Sequence, residues 1–260
     1  MANLTENEIR ILTQYRLGTE KDCPNLLIEG NHLLDSSRLQ NVFEELSTKL
    51  NTSKVNVIGS MFVKRYAFLT ALALYSMSVF NKALNTDLSN ITLRLDPEDP
   101  LCLPSFHFQD LVIKDPSDDR HTWRDGVIRT LFKENVSRVI AAISAHTHVS
   151  RSVLWENVAI YIFWMYETLL DKEENSDVYE KLLQDFIYVV KEAPGALFGP
   201  FSTNPLTKYY HPKELEELTG QLIRKRSTCC LYYLMSDKQE RCGTCPVQCI
   251  KENKKLGQAN

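Results

Sequence analysis

Five of the seven cysteines in this 260-residue chain lie between positions 229 and 249. Cys242 and Cys245 form a C-x-x-C pair, a spacing at which two thiolates hold one metal ion while turn amides point at the sulfurs. Gly243 suits a turn that needs unusual backbone angles, and Pro246 stiffens the exit from it. Because clustered cysteines in a reducing compartment bind metal more often than they form structural disulfides, this segment predicts metal or redox chemistry.

The other half of the cluster is an adjacent pair, Cys229 and Cys230. Neighbouring side chains on a strand point to opposite faces, so both can bind one tetrahedral zinc ion only if the backbone bends sharply. A two-iron cluster is wider and accepts neighbouring sulfurs more easily, whereas structural zinc sites usually present two spaced pairs. The pattern favours a [2Fe–2S] cluster and leaves structural zinc and a thiol or disulfide switch as alternatives.

The full motif, C-C-x₁₁-C-x₂-C with Tyr232 and Tyr233 after the first pair, resembles the C-terminal motif of the FhuF-type siderophore-iron reductase family. The resemblance extends upstream to Val63-Lys64-Arg65-Tyr66-Ala67 and to Leu154-Trp155-Glu156-Asn157, each opening an apolar helix. It covers about residues 59–245. The body of that family is similar to the C-terminal domain of aerobactin-type siderophore synthetases, which lack this cysteine tail.

The resemblance implies a ligand set and an activity. The family spacing between the two cysteine pairs is ten residues and here it is eleven, a difference that a loop can absorb. The implied activity is reduction of siderophore-bound Fe³⁺ by one electron from the cluster, which releases the more weakly held Fe²⁺. The implied cluster ligands are Cys229, Cys230, Cys242 and Cys245, with Cys249 as a possible substitute.

Basic residues are the candidates for substrate binding, because ferric siderophores of the hydroxamate or carboxylate type are often anionic and arginine offers a planar fork for carboxylate oxygens. The candidates are Lys64, Arg65, Arg224 and Arg226, and the alternative for each is a solvated surface charge. No G-x-G-x-x-G motif for a dinucleotide is present. The electron is therefore expected from a separate carrier protein such as a ferredoxin or flavodoxin.

Charge excludes some other classes of function. The chain carries a net charge of −3, which does not suggest a general nucleic-acid binder. From position 221 onward, eight basic residues stand against three acidic ones, and such a basic segment favours thiolates and anionic ligands. Two rival functions stay open: a non-catalytic Fe–S protein that responds to iron or to a siderophore, and a zinc-stapled interaction module.

The N-terminal sequence has no cationic stretch followed by an apolar core, so no signal peptide is predicted. The longest apolar run, residues 66–80, is short for a bilayer span, so no transmembrane segment is predicted. Together these observations predict a soluble, cytoplasmic protein.

The pattern of apolar residues predicts an α+β fold that is mainly α: a helical body with a small antiparallel sheet and a short C-terminal [2Fe–2S] module. The predicted division is a siderophore-binding helical domain at 1–220, a cluster-binding module at 221–250 and a flexible tail at 251–260. The predicted helices are 4–15, 35–50, 61–84, 123–145, 153–170, 178–192 and a short one at 212–222; the predicted strands are 91–95 and 106–113.

Overall fold

The computed structural model describes residues 3–19, 26–96, 99, 101–111, 113–116, 119–216, 220–235 and 241–246. Over these residues the protein is mainly helical with small antiparallel sheets, which confirms the predicted fold class. The helices are α1 Glu6–Thr13, α2 Ser36–Lys49, α3 Val55–Tyr66, α4 Phe68–Phe80, α5 Arg120–Leu131, α6 Ser137–Thr147, α7 Arg151–Leu170 and α8 Ser176–Ile187. The strands are β1 Leu26–Glu29, β2 Ala83–Leu84, β3 Ile91–Leu95, β4 Pro104–Phe108, β5 Ile113–Lys114, β6 Glu214–Leu215 and β7 Leu222–Ile223.

Helix α7 is central and packs on α3, α4, α6 and α8. Ser150 caps its first turn by accepting a hydrogen bond from a backbone N–H. Its side chains are apolar on nearly every face, and Phe163 and Tyr166 are buried, as expected of a helix surrounded by others. Glu156 and Asn157 are also buried, so the interior of this helix holds two polar groups that need partners.

Helices α3 and α4 replace the single helix that was predicted over residues 61–84. α3 already begins at Val55, and Ala67 separates it from α4. The hydroxyl of Thr70 donates a hydrogen bond of 2.6 Å to the Ala67 carbonyl, a contact that commonly bends helices. The interruption therefore has a local cause that apolar periodicity does not reveal.

Taken together, Val55–Phe80 is long and apolar enough to cross a bilayer, and it is the one such stretch in the described part of the chain. Within its most apolar window, 83% of the residues are buried inside the fold. Burial of this kind is what the core helix of a folded domain shows, and such a helix meets the same criteria of length and composition.

A π-helical turn at Phe132–Val136 joins α5 to α6. Within it the side chain of Asn135 is buried, accepts a hydrogen bond from the Tyr66 hydroxyl (2.6 Å) and donates one to the Thr86 carbonyl (2.7 Å). The predicted single helix over 123–145 is thus two helices joined by a turn that ties the body together. A second π-helical turn, Tyr188–Glu192, follows α8.

The main sheet has the strand order β1-β3-β4 and is antiparallel throughout. Leu93 of β3 pairs with Ile28 on one side and with Phe106 on the other, and all three side chains are fully buried. The alternation that predicted β3 is the burial pattern observed. Strand β1 was not predicted, and β4 begins and ends earlier than the predicted 106–113.

The helix predicted over residues 212–222 is wrong. Strand β6 pairs there with β7 in an antiparallel hairpin, and residues 217–219 lie outside the described part. Leu215 and Leu222 are 62% and 65% exposed, so these two leucines provide no buried apolar stripe that could hold a helix on the body. The predicted domain boundary at residue 220 falls inside this hairpin, and the division into domains stays a prediction.

Asp185 of α8 is a fully buried carboxylate held by two arginines. Arg120 donates two hydrogen bonds to it, of 2.9 and 2.7 Å, and Arg124 a third of 2.9 Å. Removing one partner of a buried ion pair leaves uncompensated charge, so Asp185→Asn is expected to lower the free energy of unfolding by about 3 kcal/mol in urea titrations. The exposed Glu180→Gln on the same helix is the control, expected to stay within about 0.5 kcal/mol. Equal losses in the two variants would contradict this prediction.

Candidate functional site

Four of the clustered cysteines meet at one place, where residues 226–235 and 241–246 pack together. The Sγ atoms of Cys230 and Cys242 are 3.6 Å apart. Burial raises the pKa of Cys229, and the neighbouring Cys245 and Cys230 raise it further. Cys230 and Cys245 are buried, whereas Cys229 and Cys242 are partly exposed, and all four are free thiols. The predicted convergence of the two cysteine pairs is therefore present in the structure, while Cys249 lies outside the described residues.

The C-C pair sits on a sharp bend of the backbone. Leu231 adopts the left-handed conformation with φ 65° and ψ 7°, which is uncommon for a residue with a branched side chain. Its N–H points at Cys229 Sγ at 3.5 Å, and the N–H of Tyr232 hydrogen-bonds Cys230. The bend gives each of the adjacent sulfurs its own backbone donor, the arrangement that stabilises thiolate ligands.

The C-x-x-C pair lies on a tight turn in which the N–H of Cys245 donates to the carbonyl of Cys242 at 2.9 Å. Arg241 directs Nη1 toward Cys245 Sγ at 3.8 Å, and its guanidinium lies 4.4 Å from the ring centre of Tyr233. Gly243 does not have a positive φ, so the prediction that glycine is needed there for an unusual backbone angle is wrong. The turn is shaped by its hydrogen bond instead.

The thiols of Cys230 and Cys242 are joined by a hydrogen bond. The hydrogen bond from Cys242 lowers the pKa of Cys230, and the charges of Lys64 and Arg226 lower it further. The same hydrogen bond raises the pKa of Cys242. The two cations thus favour thiolate at the pair, the form that binds metal.

A network of buried hydrogen bonds anchors this site to α7. The carboxylate of Glu156, 1% exposed, accepts from the N–H of Ser227 at 2.6 Å, from the N–H of Thr228 at 2.8 Å and from the Thr228 hydroxyl. Arg226, 4% exposed, lies 3.5 Å from the same carboxylate. These contacts hold the backbone directly before Cys229 against the core of the body.

Asn157 extends the network to α3. It accepts from Arg226 Nη2 at 2.7 Å and donates to the carbonyl of Ser60 at 2.9 Å. The hydroxyl of Ser60 in turn donates to the carbonyl of Cys230 at 2.8 Å. We call Ser60, Glu156, Asn157, Arg226 and Thr228 the docking network.

A cavity of about 420 Å³ opens beside the cysteines, and Cys242 forms part of its wall. Its charged lining residues are Lys64, Arg65 and Arg241, and none of the acidic residues that the structure describes lines it. Aromatic and apolar side chains complete the wall. They are Met61, Phe68, Leu101, Leu103, Tyr161 and Tyr232.

Arg65 has hydrogen-bonding capacity left over in this cavity. Its Nε donates to the Leu101 carbonyl at 2.5 Å, but its buried Nη1 has no partner among the residues that the structure describes. Burial lowers the pKa of Arg65, though a guanidinium remains charged at neutral pH. A buried donor without a partner is costly and suits a ligand that brings an acceptor. Lys64 lies nearby, 5.3 Å from the ring centre of Tyr232.

The four predicted substrate residues are thus divided among three places. Lys64 and Arg65 line the cavity beside Cys242, whereas Arg226 belongs to the docking network. Arg224 lies against a separate cavity of about 230 Å³, where it donates to Glu167 at 2.7 Å and lies over the ring of Tyr210. Arg241 joins the cavity cations without having been predicted, although its position next to Cys242 was a signal.

The donor set is four free cysteine thiols, and this donor set fits a [2Fe–2S] cluster. A single tetrahedral zinc would need all four sulfurs around one point. Two irons need only two thiolates each, and the bent C-C pair can serve both.

Two models of known families match this chain, over two separate ranges of residues. The family described as "Ferric iron reductase FhuF-like transporter" matches residues 60–209, more than half of the chain. The domain described as "FhuF 2Fe-2S C-terminal domain" matches residues 226–246, which hold all four cysteines of the site. No curated protein sequence matches the chain significantly.

Among solved structures, the aerobactin synthetase IucA from a hypervirulent pathotype of Klebsiella pneumoniae is similar, with 15% identity and a TM-score of 0.50 over 69% of this chain and 37% of that one. Synthetase IucC from the same source gives 12% identity and a TM-score of 0.49 over 72% and 36%. This chain spans little more than a third of those proteins, and the likeness to IucA concerns the fold alone.

Proposed function

Because this chain belongs to the ferric iron reductase FhuF-like family and carries its [2Fe–2S] domain, we propose that it is a ferric siderophore reductase. The proposed cluster ligands are Cys229, Cys230, Cys242 and Cys245. When bound, the cluster supplies one electron at low potential. The observation that carries the proposal is that Cys242 faces an open cationic cavity, so that the reductant and a bound ferric chelate would be neighbours.

The cavity residues would hold the chelate by charge and by stacking. Lys64, Arg65 and Arg241 offer ammonium and guanidinium donors, and guanidinium groups form paired hydrogen bonds with carboxylates. Tyr161 and Tyr232 offer flat apolar surface for the backbone of the siderophore. An anionic hydroxamate or carboxylate siderophore matches this lining, and Fe²⁺ leaves such oxygen donors readily after reduction.

The electron donor is proposed to be a separate protein such as a ferredoxin or flavodoxin, because the sequence has no motif for a dinucleotide. The proposed place of action is the cytoplasm, where such carriers work. Arg226 is not proposed to bind substrate. Its contacts with Glu156 and Asn157 support a role in holding the cysteine segment on the body.

Two measurements on anaerobically purified protein test the function. Visible absorption that dithionite bleaches is expected, whereas a colourless protein with one zinc ion would favour the zinc-stapled alternative. The dithionite-reduced, desalted protein is then mixed with ferric siderophores, and Fe²⁺ is trapped by a ferrous chelator. Failure to reduce any ferric chelate would favour the sensor alternative.

Arg65→Gln tests the cavity separately from the redox step. Gallium(III) complexes are redox-inert stand-ins for Fe³⁺, so calorimetry on them measures binding alone. Because a hydrogen bond to a charged group contributes about 1.5–3 kcal/mol, Arg65→Gln is expected to weaken an anionic complex at least about tenfold. A cationic hydroxamate complex should not lose affinity. The exposed Lys133→Gln serves as the control, and equal losses for both complexes would refute charge recognition by Arg65.

A further inference from the structure

The distance between Cys230 and Cys242 identifies them as partners although twelve positions separate them in the sequence. Their Sγ atoms are 3.6 Å apart. Tetrahedral coordination with metal–thiolate bonds of about 2.3 Å places two sulfurs about 3.8 Å apart. The observed separation is therefore that of two ligands on one metal ion.

The remaining two thiols lie one on each turn, with Cys229 directly before Cys230 and Cys245 three positions after Cys242. The bend at Leu231 gives Cys229 and Cys230 different N–H donors. Since each iron of a [2Fe–2S] cluster takes two of the four thiolates, assigning Cys230 and Cys242 to one iron leaves Cys229 and Cys245 for the other.

We infer that the irons are held across the two turns: Cys230 and Cys242 share one iron, and Cys229 and Cys245 share the other. The inference rests on the ligand set proposed above. The inference excludes pairing by sequence neighbours, in which Cys229 and Cys230 would share one iron and Cys242 and Cys245 the other.

The cross-turn pairing makes the two irons unequal. Among the four cysteines, Cys242 alone lines the cationic cavity. Lys64 lines the same cavity as Cys242. The iron shared by Cys230 and Cys242 is therefore the one on the cavity side, and it would be the one from which an electron reaches a bound chelate.

Mössbauer spectroscopy on full-length protein loaded with ⁵⁷Fe tests the pairing without any substrate. Serine keeps an oxygen ligand in place of sulfur and changes the spectrum of the iron that it binds. In the oxidised Cys230→Ser/Cys242→Ser variant, one iron doublet should change and the other should match the wild-type doublet. In the matched Cys230→Ser/Cys245→Ser variant, both doublets should change.

The opposite result is equally distinct. If Cys229→Ser/Cys230→Ser or Cys242→Ser/Cys245→Ser left one wild-type doublet, the cross-turn pairing would be overturned. Should the double variants not retain iron, the four single serine variants decide after reduction, when the ferrous and ferric sites are resolved. Cys230→Ser and Cys242→Ser should then perturb the same site, and Cys229→Ser and Cys245→Ser the other; any other grouping overturns the inference.

Failure of the ligand set would look different from failure of the pairing. A single serine variant whose two doublets both match the wild type would show that its cysteine is not a ligand, which contradicts the proposed function at that residue. Perturbed doublets in the wrong groups would contradict only the pairing.

Discussion

Cys242→Ala leaves the protein without its cluster. Alanine offers no ligand, and the sulfur that it removes lies 3.6 Å from Cys230 at the wall of the cavity. Because cluster binding and the folding of the cysteine segment are coupled, we expect iron content and visible absorption to fall below about a tenth of the wild-type values. Iron analysis and absorption spectra after anaerobic reconstitution provide the measurement.

Two other cysteines serve as controls for Cys242→Ala. Cys102 is buried outside the site, and Cys102→Ala should retain the cluster. Cys249 is the possible substitute ligand, and Cys249→Ala should retain it as well. Loss of the cluster in the Cys249 variant, or its full retention in the Cys242 variant, would contradict the proposed ligand set.

The location of the candidate site could be predicted from the sequence because ligands of one cluster must be close in space, and two short segments supply the four proposed ligands. The C-C pair and the C-x-x-C pair carry this information without knowledge of the helices. Their exact contacts could not be predicted, since these depend on the left-handed bend at Leu231, a conformation that its residue type does not suggest.

The structural role of Arg226 could not be predicted from the sequence. In the sequence, a basic residue near a metal site cannot be assigned to substrate binding or to pairing with a buried carboxylate. The informative signal lay elsewhere, in Glu156 and Asn157, two polar residues within an apolar helix that required buried partners. Which distant residue supplies those partners depends on packing of α7 against the cysteine segment.

The hairpin of β6 and β7 could not be predicted from the sequence for a different reason. Residues 212–222 contain good helix formers, and local propensity therefore favoured a helix. A short helix needs an apolar face packed on the body, but Leu215 and Leu222 are exposed and pair with one another across the hairpin. Tertiary context decided the outcome there, while in α7 a long apolar pattern was sufficient.

Glu156→Gln is expected to detach the cysteine segment from the body. The carboxylate accepts three hydrogen bonds from Ser227 and Thr228 and lies beside the buried charge of Arg226. Glutamine turns one acceptor into a donor and leaves the arginine uncompensated. Breaking a buried ion pair in this way costs about 3–5 kcal/mol of unfolding free energy.

A urea titration with two probes measures this loss. Far-UV circular dichroism follows the helical body, and visible absorption follows the cluster. In Glu156→Gln the visible signal should disappear at clearly lower urea than the helical signal, because the docking network lies between the two parts. Coincident transitions at the wild-type midpoint would refute the role of Glu156 in docking.

Glu167→Gln is the matched control, because Glu167 is on the same helix and is also paired with two cations. Lys213 and Arg224 contact it at 2.8 and 2.7 Å, but its side chain remains 19% exposed. Partly solvated pairs contribute less, so its loss should be about 1 kcal/mol. The double variant Glu156→Gln/Arg226→Met completes the comparison: since removing both partners leaves no unpaired charge, it should be more stable than Glu156→Gln alone. That ordering would show that the cysteine segment is held by a specific buried pair, so that the candidate site depends on α7 as much as on its own four thiols.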